Sequence, residues 1–420
     1  MTASDAPVRR WRADPKVVAR AAVDSAVLAH DEFAQTAADV FWEFAREDHC
    51  AVAESLRAVG DPEVTAGLDA IAGGVATPAT LDLLTATVAS RIEGGAPPWP
   101  ELAASAVRAD AYSRLAMHVG HEPVEAAPIA AADLVPAQGT PAPTGASDAQ
   151  VLVVIPFRDS DPALPRLRNL LACLSALADQ SMPRENYRCV VVELDSHARH
   201  EDVIRPFVDR YLHVHSTRRF NKSWAVNVGV VAEAGDAEIL CILDSDVLVD
   251  RDFVRRNLDR FHRRGSQAHW PYLDALCLDP ASTDYAVRHR CLLGEAVDLD
   301  RVRGVYLRRP PGHCVWLRMP LFMRVRGMDE RFEGWGGEDL DFAFRVEFMG
   351  SLDRYDDPLL HMFHPRPQVR EDGKWFFAER RFLSWRPVDP IGRPDRPARS
   401  QDDTVRRPSP ADASPDSILS

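Results

Sequence analysis

Four short clusters in this 420-residue chain combine residue types and spacings suited to ion and phosphate chemistry. Asp244-Ser245-Asp246 follows directly on the apolar run Ile239–Leu243, ILCIL. Two carboxylates two residues apart at a strand end can hold a hard divalent cation and orient a nucleotide. The same pattern also serves ordinary turns and caps, so its neighbours decide its meaning. Residues Phe332–Arg345 read FEGWGGEDLDFAFR. Gly334, Gly336 and Gly337 permit a tight turn around Trp335. Glu338 and Asp339 then open a helix whose N-terminal end favours ionised carboxylates, which suits a base accepting a hydroxyl proton. Capping alone would need one acid, not two. His361-Met362-Phe363-His364 places two imidazoles three residues apart, close enough to face one cation from a turn or helix. With Asp246 they suggest a mixed carboxylate–imidazole site, for which Mn²⁺ is favoured and Mg²⁺ is the alternative. The fourth cluster is Phe220–Gly229, FNKSWAVNVG, whose Lys222 is one of only three lysines in the chain.

The surrounding elements must bring these clusters together. Val151–Ile155 is a continuous apolar run fit for a strand buried on both faces. Cys189–Glu193, Tyr211–His215 and Ile239–Leu243 read as further strands. A leucine-rich helix from Leu164 to Leu177 and a helix from about Asn221 lie between them. Strands alternating with helices predict an open α/β sheet, which binds ligands beyond the carboxyl ends of its strands. Those ends carry Arg158 and Asp159, then Asp195, then Asp244 and Asp246, so three strands deliver polar groups to one edge.

Residues 1–120 read as a helical domain. Asp14-Pro15 and Thr77-Pro78 set capping side chains before helix-starting prolines, and Val27, Leu28, Phe33, Val40, Phe41, Phe44 and Val52 form an apolar stripe. It carries no chemistry of its own; scaffolding, acceptor binding and self-association as a homo-oligomer are the roles open to it. Residues 121–149, rich in proline and small residues, read as a linker. A catalytic domain over 150–385 follows, and 386–420 read as a disordered tail from their Pro, Arg, Asp and Ser content. A net charge of −13 argues against general nucleic-acid binding. No apolar run is long enough for a membrane span, and the start lacks a signal-peptide core. Seven scattered cysteines without a Cys-x-x-Cys pair fit reduced thiols, so a cytoplasmic location is expected. The Ala, Arg and Pro richness suggests a GC-rich bacterial genome.

Val153–Arg158 (VVIPFR), Phe220–Gly229, Asp244–Asp246 and Gly334–Asp339 (GWGGED) occur in the order and rough spacing of the β-1,4-galactosyltransferase family, which residues 150–370 resemble. Gly312-His313-Cys314-Val315-Trp316 is similar to the glycine segment that precedes Trp-Gly-Gly-Glu-Asp in those enzymes. The resemblance implies a GT-A fold, a Rossmann-like nucleotide-diphospho-sugar transferase architecture, and a UDP-sugar donor bound through Mn²⁺. Carried over by position, it implies that Pro156, Phe157, Arg158, Phe220 and Lys222 embrace the nucleotide, with Asp195 and Ser245 beside them at the sheet edge. It implies that Asp244 supports the ribose or the metal shell, Asp246 ligates the metal, and Trp335 lines the donor–acceptor junction. Asp339 becomes the base on the acceptor hydroxyl, with Glu338 behind it. The family's Met-x-x-His metal motif reads His361-Met362-Phe363-His364 here, so His364 matches the family ligand and His361 replaces the methionine. Ser160 and Lys222 stand where the family has arginines, which leaves the donor sugar open.

The implied function is metal-dependent transfer of a sugar from a UDP-sugar to an acceptor hydroxyl of a carbohydrate or natural product, with inversion. Polypeptide N-acetylgalactosaminyltransferases share a related Trp-Gly-Gly-Glu string and retain configuration, so a retaining outcome is the first alternative. Sugar nucleotidyltransferases use a similar sheet and carboxylate pair and are the second, although they normally carry a glycine-rich basic loop where this chain reads PFRDSDPALPR.

Overall fold

The computed structural model describes residues 14–37, 39–74, 77–122, 126–135, 148–365, 369–377, 380 and 382–401. The N-terminal region is helical: α1 (Pro15–His30), α2 (Glu32–Ala37), α3 (Asp39–Ala58), α4 (Pro62–Ala72), α5 (Pro78–Gly94) and α6 (Trp99–Ser113). Asp14 accepts the Lys16 N–H and Thr77 the Thr80 N–H at the starts of α1 and α5, as the Asp-Pro and Thr-Pro pairs predict. Asp61-Pro62 caps α4 in the same way. Val27, Leu28, Val52, Leu56, Leu84 and Val88 close the core of this bundle. Phe44, expected in the apolar stripe, is 77% exposed and stacks on Trp375 instead.

The helical region does not end in a free linker. Residues Leu115–Val119 form β1, which pairs antiparallel with a strand of the following domain. The central sheet is built from β2 (Val151–Phe157), β3 (Tyr187–Asp195), β4 (Arg210–His215) and β5 (Ile239–Leu243). Its remaining strands are β7 (Ala268–Trp270), β10 (Cys314–Arg318) and β11 (Leu352–Arg354), in the order β11-β7-β10-β5-β2-β3-β4. Strands β2 to β5 run parallel. The chain steps outward from β2 to β3 and β4, then returns on the other side of β2 as β5. That reversal opens the crevice in which such sheets bind ligands.

Every residue of β2 is buried, and its two faces serve two cores. Val151, Val153 and Ile155 pack with helix α7 (Pro165–Ala178), while Leu152 and Val154 pack with α8 (Lys222–Glu233). Alternation of side chains along a strand requires this division, and it explains the unbroken apolar runs read from the sequence. Gly229 of α8 lets that helix lie close to the sheet, because a Cβ there would stand 2.7 Å from Val154 and 2.9 Å from Val192.

A second sheet has the order β1-β9-β8-β12-β6, with β6 Val247–Leu248, β8 Asp274–Leu278, β9 Arg303–Arg308 and β12 Leu359–His361. Leu115, Met117, Cys277, Val305 and Leu307 from this sheet share the core of the helical bundle, so helices and catalytic region are welded together. Arg308 reinforces the seam with two bonds to the Asp110 carboxylate of α6, at 2.7 and 2.9 Å. Within the expected linker, Ile129 and Leu134 are buried in the main core; residues 123–125 and 136–147 lie outside the described residues.

The expectation of disorder after Trp385 is corrected over residues 386–401. Trp385, Ala398 and Ser400 are buried, and the buried Glu330 carboxylate accepts the N–H groups of Gly392 (2.7 Å) and Ala398. Composition suggested a solvated tail, but one buried acid collects its backbone donors. Residues 402–420 lie outside the described residues. No helix among the described residues is long and apolar enough to cross a membrane.

Candidate active site

Three elements meet at the end of β5. Asp244 leaves the strand, Lys222 begins α8, and Glu338 and Asp339 begin helix α9 (Glu338–Met349). Lys222 Nζ lies 2.6 Å from Asp244 Oδ1 and 2.9 Å from Asp339 Oδ1. Burial opposes the lysine's charge, but Asp244, Asp339 and Glu338 hold its pKa well above the ordinary value. Three acids around one cation leave negative charge in excess. Burial, helped by Asp339, pushes Glu338 up to about 8. Burial outweighs Lys222 at Asp244 and raises that group to about 6.

The glycines of the 334–337 loop have distinct local reasons. Gly336 and Gly337 adopt φ of 102° and 89°, a region that side-chain-bearing residues rarely occupy. Gly337 is the residue before α9 and has no side chain with which to cap it. Gly312 matters for space: a Cβ there would stand 2.6 Å from Asp339 Oδ2. Helix α8 also holds this loop. Asn221 Nδ2 donates to the Glu330 carbonyl (2.7 Å), Asn227 Nδ2 donates to the Met328 carbonyl (2.8 Å), and Gly334 N–H donates to the Phe220 carbonyl (2.8 Å). Much of the Phe220–Gly229 motif is therefore a clamp on the approach to Trp335, which is half-buried.

The second cluster is centred on Asp246. Register between β12 and β6 sets His361 opposite Val247, and Met362 N–H donates to the Asp246 carbonyl at 2.8 Å. His364 Nε2 lies 3.0 Å from Asp246 Oδ2, and His361 Nε2 lies 3.5 Å from Oδ1. Burial disfavours the Asp246 charge, yet the two imidazoles hold its pKa well below the ordinary carboxylate value. Helix α7 pins the histidine segment from behind, with Asn169 Nδ2 donating to the Phe363 carbonyl (3.1 Å) and Arg168 to the same oxygen (2.9 Å). Phe33 of α2 packs against the Phe363 ring.

A residue that sequence reasoning noticed only as part of a glycine segment joins both clusters. His313 precedes β10, which pairs with β5. Its N–H donates to Asp244 Oδ2 (3.1 Å), and the Asp244 N–H donates to its carbonyl (2.8 Å). Ligand atoms of Asp246, His313 and His361 all lie within 4.8 Å of one another. The donor set fits a divalent cation. It combines one carboxylate with two imidazoles, and Asp246 Oδ1 is buried without a hydrogen-bond partner.

The other anticipated residues sit farther along the same edge. Arg158 and Asp195 end β2 and β3, one and two strands from β5, with Arg158 Nη2 3.7 Å from Asp195 Oδ1. Arg199 Nε, absent from the sequence reading, donates to Asp195 Oδ2 at 2.8 Å. Pro156 and Phe157 are buried; Phe157 packs edge-on against His200, away from the open edge. Asp159 is used structurally, accepting the N–H groups of Arg166 and Leu167 at the start of α7. Phe220 and Ser245 are half-buried beside the site.

Comparison with known proteins places two family profiles on these elements. Residues 153–275 match glycosyl transferase family 2, and residues 312–365 match the N-terminal domain of galactosyltransferase. No curated protein sequence matches the chain. Among solved structures, Staphylococcus aureus TarS 1–349 is similar at 11% identity and a TM-score of 0.36, covering 51% of this chain and 60% of that one. A mannosyltransferase from Pyrobaculum calidifontis, PcManGT in complex with GDP-Man and Mn²⁺, is similar at 18% identity, with 58% and 64% covered and a TM-score of 0.33. The catalytic domain of Drosophila β1,4-galactosyltransferase 7, in complex with xylobiose, shows 16% identity, 55% and 78% coverage and a TM-score of 0.33. The chain thus spans less than two thirds of the length of the first two. The two profiles fall in sequence order, one across the parallel strands and the other across the loop and histidine segment, so over these two stretches the chain is similar to glycosyl transferase family 2 and to galactosyltransferase.

Proposed function

We propose that this enzyme transfers a sugar from a UDP-sugar to a hydroxyl of a carbohydrate or natural-product acceptor, with inversion at the anomeric carbon. The observation that carries the reading is the single lysine, Lys222, shared between Asp244 at the strand end and Asp339 at the start of α9. It supports a site in which donor diphosphate and acceptor base are neighbours. Arg158 and Asp195 flank the place for the nucleoside, and Trp335 stands at the junction with the acceptor.

Asp246, His361 and His364 would hold a divalent cation, which when bound supplies Lewis-acid stabilisation of the charge that develops on the leaving diphosphate. Lys222 adds a fixed positive charge to the same group. Asp339 accepts the acceptor proton as the hydroxyl attacks from the face opposite the leaving group. Glu338 is unsuited to that task, because its raised pKa of about 8 keeps it protonated at neutral pH. In the free enzyme Asp339 is paired with Lys222. Arriving diphosphate competes for the lysine and frees the carboxylate for the acceptor.

Incubation with a panel of UDP-sugars and Mn²⁺, followed by UDP release and by the anomeric configuration of the product, tests this. Metal-dependent UDP release with an inverted product is expected. Pyrophosphate release would overturn it in favour of nucleotidyl transfer, and a retained configuration would overturn the role given to Asp339.

A further inference from the structure

The geometry points to His313 as a further imidazole ligand of the cation held by Asp246, His361 and His364, which makes the site nitrogen-rich and selective for borderline transition ions over Mg²⁺. This rests on the metal-dependent reading above and extends it. The first support is position. The His313 and His361 rings meet edge-on with centroids 4.9 Å apart, the His361 and His364 rings lie 5.3 Å apart, and Asp246, whose buried Oδ1 makes no hydrogen bond, belongs to the same group of donors as His313 and His361.

The second support is the backbone. His313 has φ of 68°, in the left-handed region that favours glycine and that residues with side chains adopt uncommonly. Two backbone hydrogen bonds to Asp244 hold it there, and either would form as well with glycine at this position. These bonds fix the backbone from which the ring meets that of His361. Tyr272 packs edge-on to that ring with centroids 6.1 Å apart.

Chemically, one carboxylate with the His313 and His361 imidazoles, and with His364 on the carboxylate's other oxygen, suits Mn²⁺, Co²⁺ or Zn²⁺, whereas Mg²⁺ prefers oxygen ligands and gives up its water reluctantly. The donor set therefore argues against Mg²⁺ as the working ion.

The test uses Co²⁺ alone as an optical probe, titrated into the full-length protein and into His313→Gly and Asp246→Ala variants. Wild type is expected to bind Co²⁺ with visible absorption that a large excess of Mg²⁺ does not displace. His313→Gly should weaken Co²⁺ binding by about 10- to 100-fold and alter the spectrum. It should leave metal-free thermal stability equal or higher, because glycine relieves the backbone, and added imidazole should restore the absorption. Unchanged affinity and spectrum in His313→Gly, with binding lost in Asp246→Ala, would overturn the assignment of His313 and leave the proposed function standing. Binding that survives in Asp246→Ala would overturn the metal site and the reading built on it. Ready displacement by Mg²⁺ would overturn the selectivity.

Discussion

In the helical bundle, Asp24 is buried and takes Arg20 at 2.8 Å, His49 Nδ1 lies 2.9 Å from the Ser25 hydroxyl, and Asp110 takes both terminal nitrogens of Arg308. At the edge of the sheet, Lys222 is shared between Asp244 and Asp339, with Glu338 close behind. In the bundle each of these buried groups has a close partner, which is how packing tolerates them. The site gathers three acids around one lysine, and burial raises the pKa of two of them, Asp244 and Glu338. Acids crowded and buried in this way cost stability, and such perturbed groups are what functional sites characteristically gather.

Removing the acid assigned to proton transfer should give the largest effect on this contrast. Asp339→Asn is expected to lower turnover by roughly 10²- to 10⁴-fold, the usual contribution of a general base, while UDP binding measured by calorimetry stays nearly intact. Full activity in that variant would remove the base from the scheme. Asp246→Ala should weaken metal-dependent UDP binding by about 100-fold or more, since a direct ligand matters at least as much as its outer partners. Identical calorimetric titrations with and without Mn²⁺ in wild type and variant would count against a cation there.

The excess charge also has a sign in pH. The Glu338 pKa rises from the ordinary carboxylate value, 4.5, to about 8 on folding, chiefly through burial. Between those two values the folded state holds a proton that the unfolded state has lost, so metal-free stability falls as pH rises through that window. Glu338→Gln should flatten the decline and raise stability near pH 8 by on the order of a few kcal/mol, read from denaturant melts without metal. A slope that persists in the variant would place the excess elsewhere. The smallest effect belongs to the bundle. Ser25→Ala strips His49 of its hydroxyl partner and should cost about 1–3 kcal/mol, with UDP release unchanged. A loss of turnover without a loss of stability would mean that the bundle does more than pack.

The bundle also reaches the site physically. Phe33 touches Phe363, next to His364, and Phe44 stacks on Trp375 of the short hairpin formed by β13 (Arg370–Glu371) and β14 (Lys374–Trp375). The residues after that hairpin, Phe376 and Phe377, crowd the space over Gly334 and Gly336. Both halves of the site are thus braced from the N-terminal helices.

Particular residues show how far the sequence could be read. Strands β2 and β5 were legible because strands buried on both faces must be apolar throughout, and α1 and α5 because an Asp-Pro or Thr-Pro pair marks a helix start. Lys222, Asp244, Asp246, Asp339, His361 and His364 were legible as chemistry because each sits at an element boundary, and the structure brings them to one edge. His313 was not, since a lone histidine after glycine carries no spacing signal; only the pairing of β10 with β5 sets it beside Asp244. Residues 386–401 were misread because a few backbone donors that meet a buried Glu330 leave no trace in composition. Phe157 had the right type and position for a nucleotide contact, but strand alternation turns it into the core.

The amino-acid sequence by itself determined the alternating sheet, the helix starts and which acids and imidazoles stand ready at strand and helix ends, because these follow from local periodicity and capping. Tertiary structure alone decided that one lysine is shared by acids from two elements, that a third histidine joins the cluster, and that the end of the described chain is tied down. Those outcomes depend on strand register and on which buried charge lacks a partner, and both are properties of distances between residues far apart in the chain.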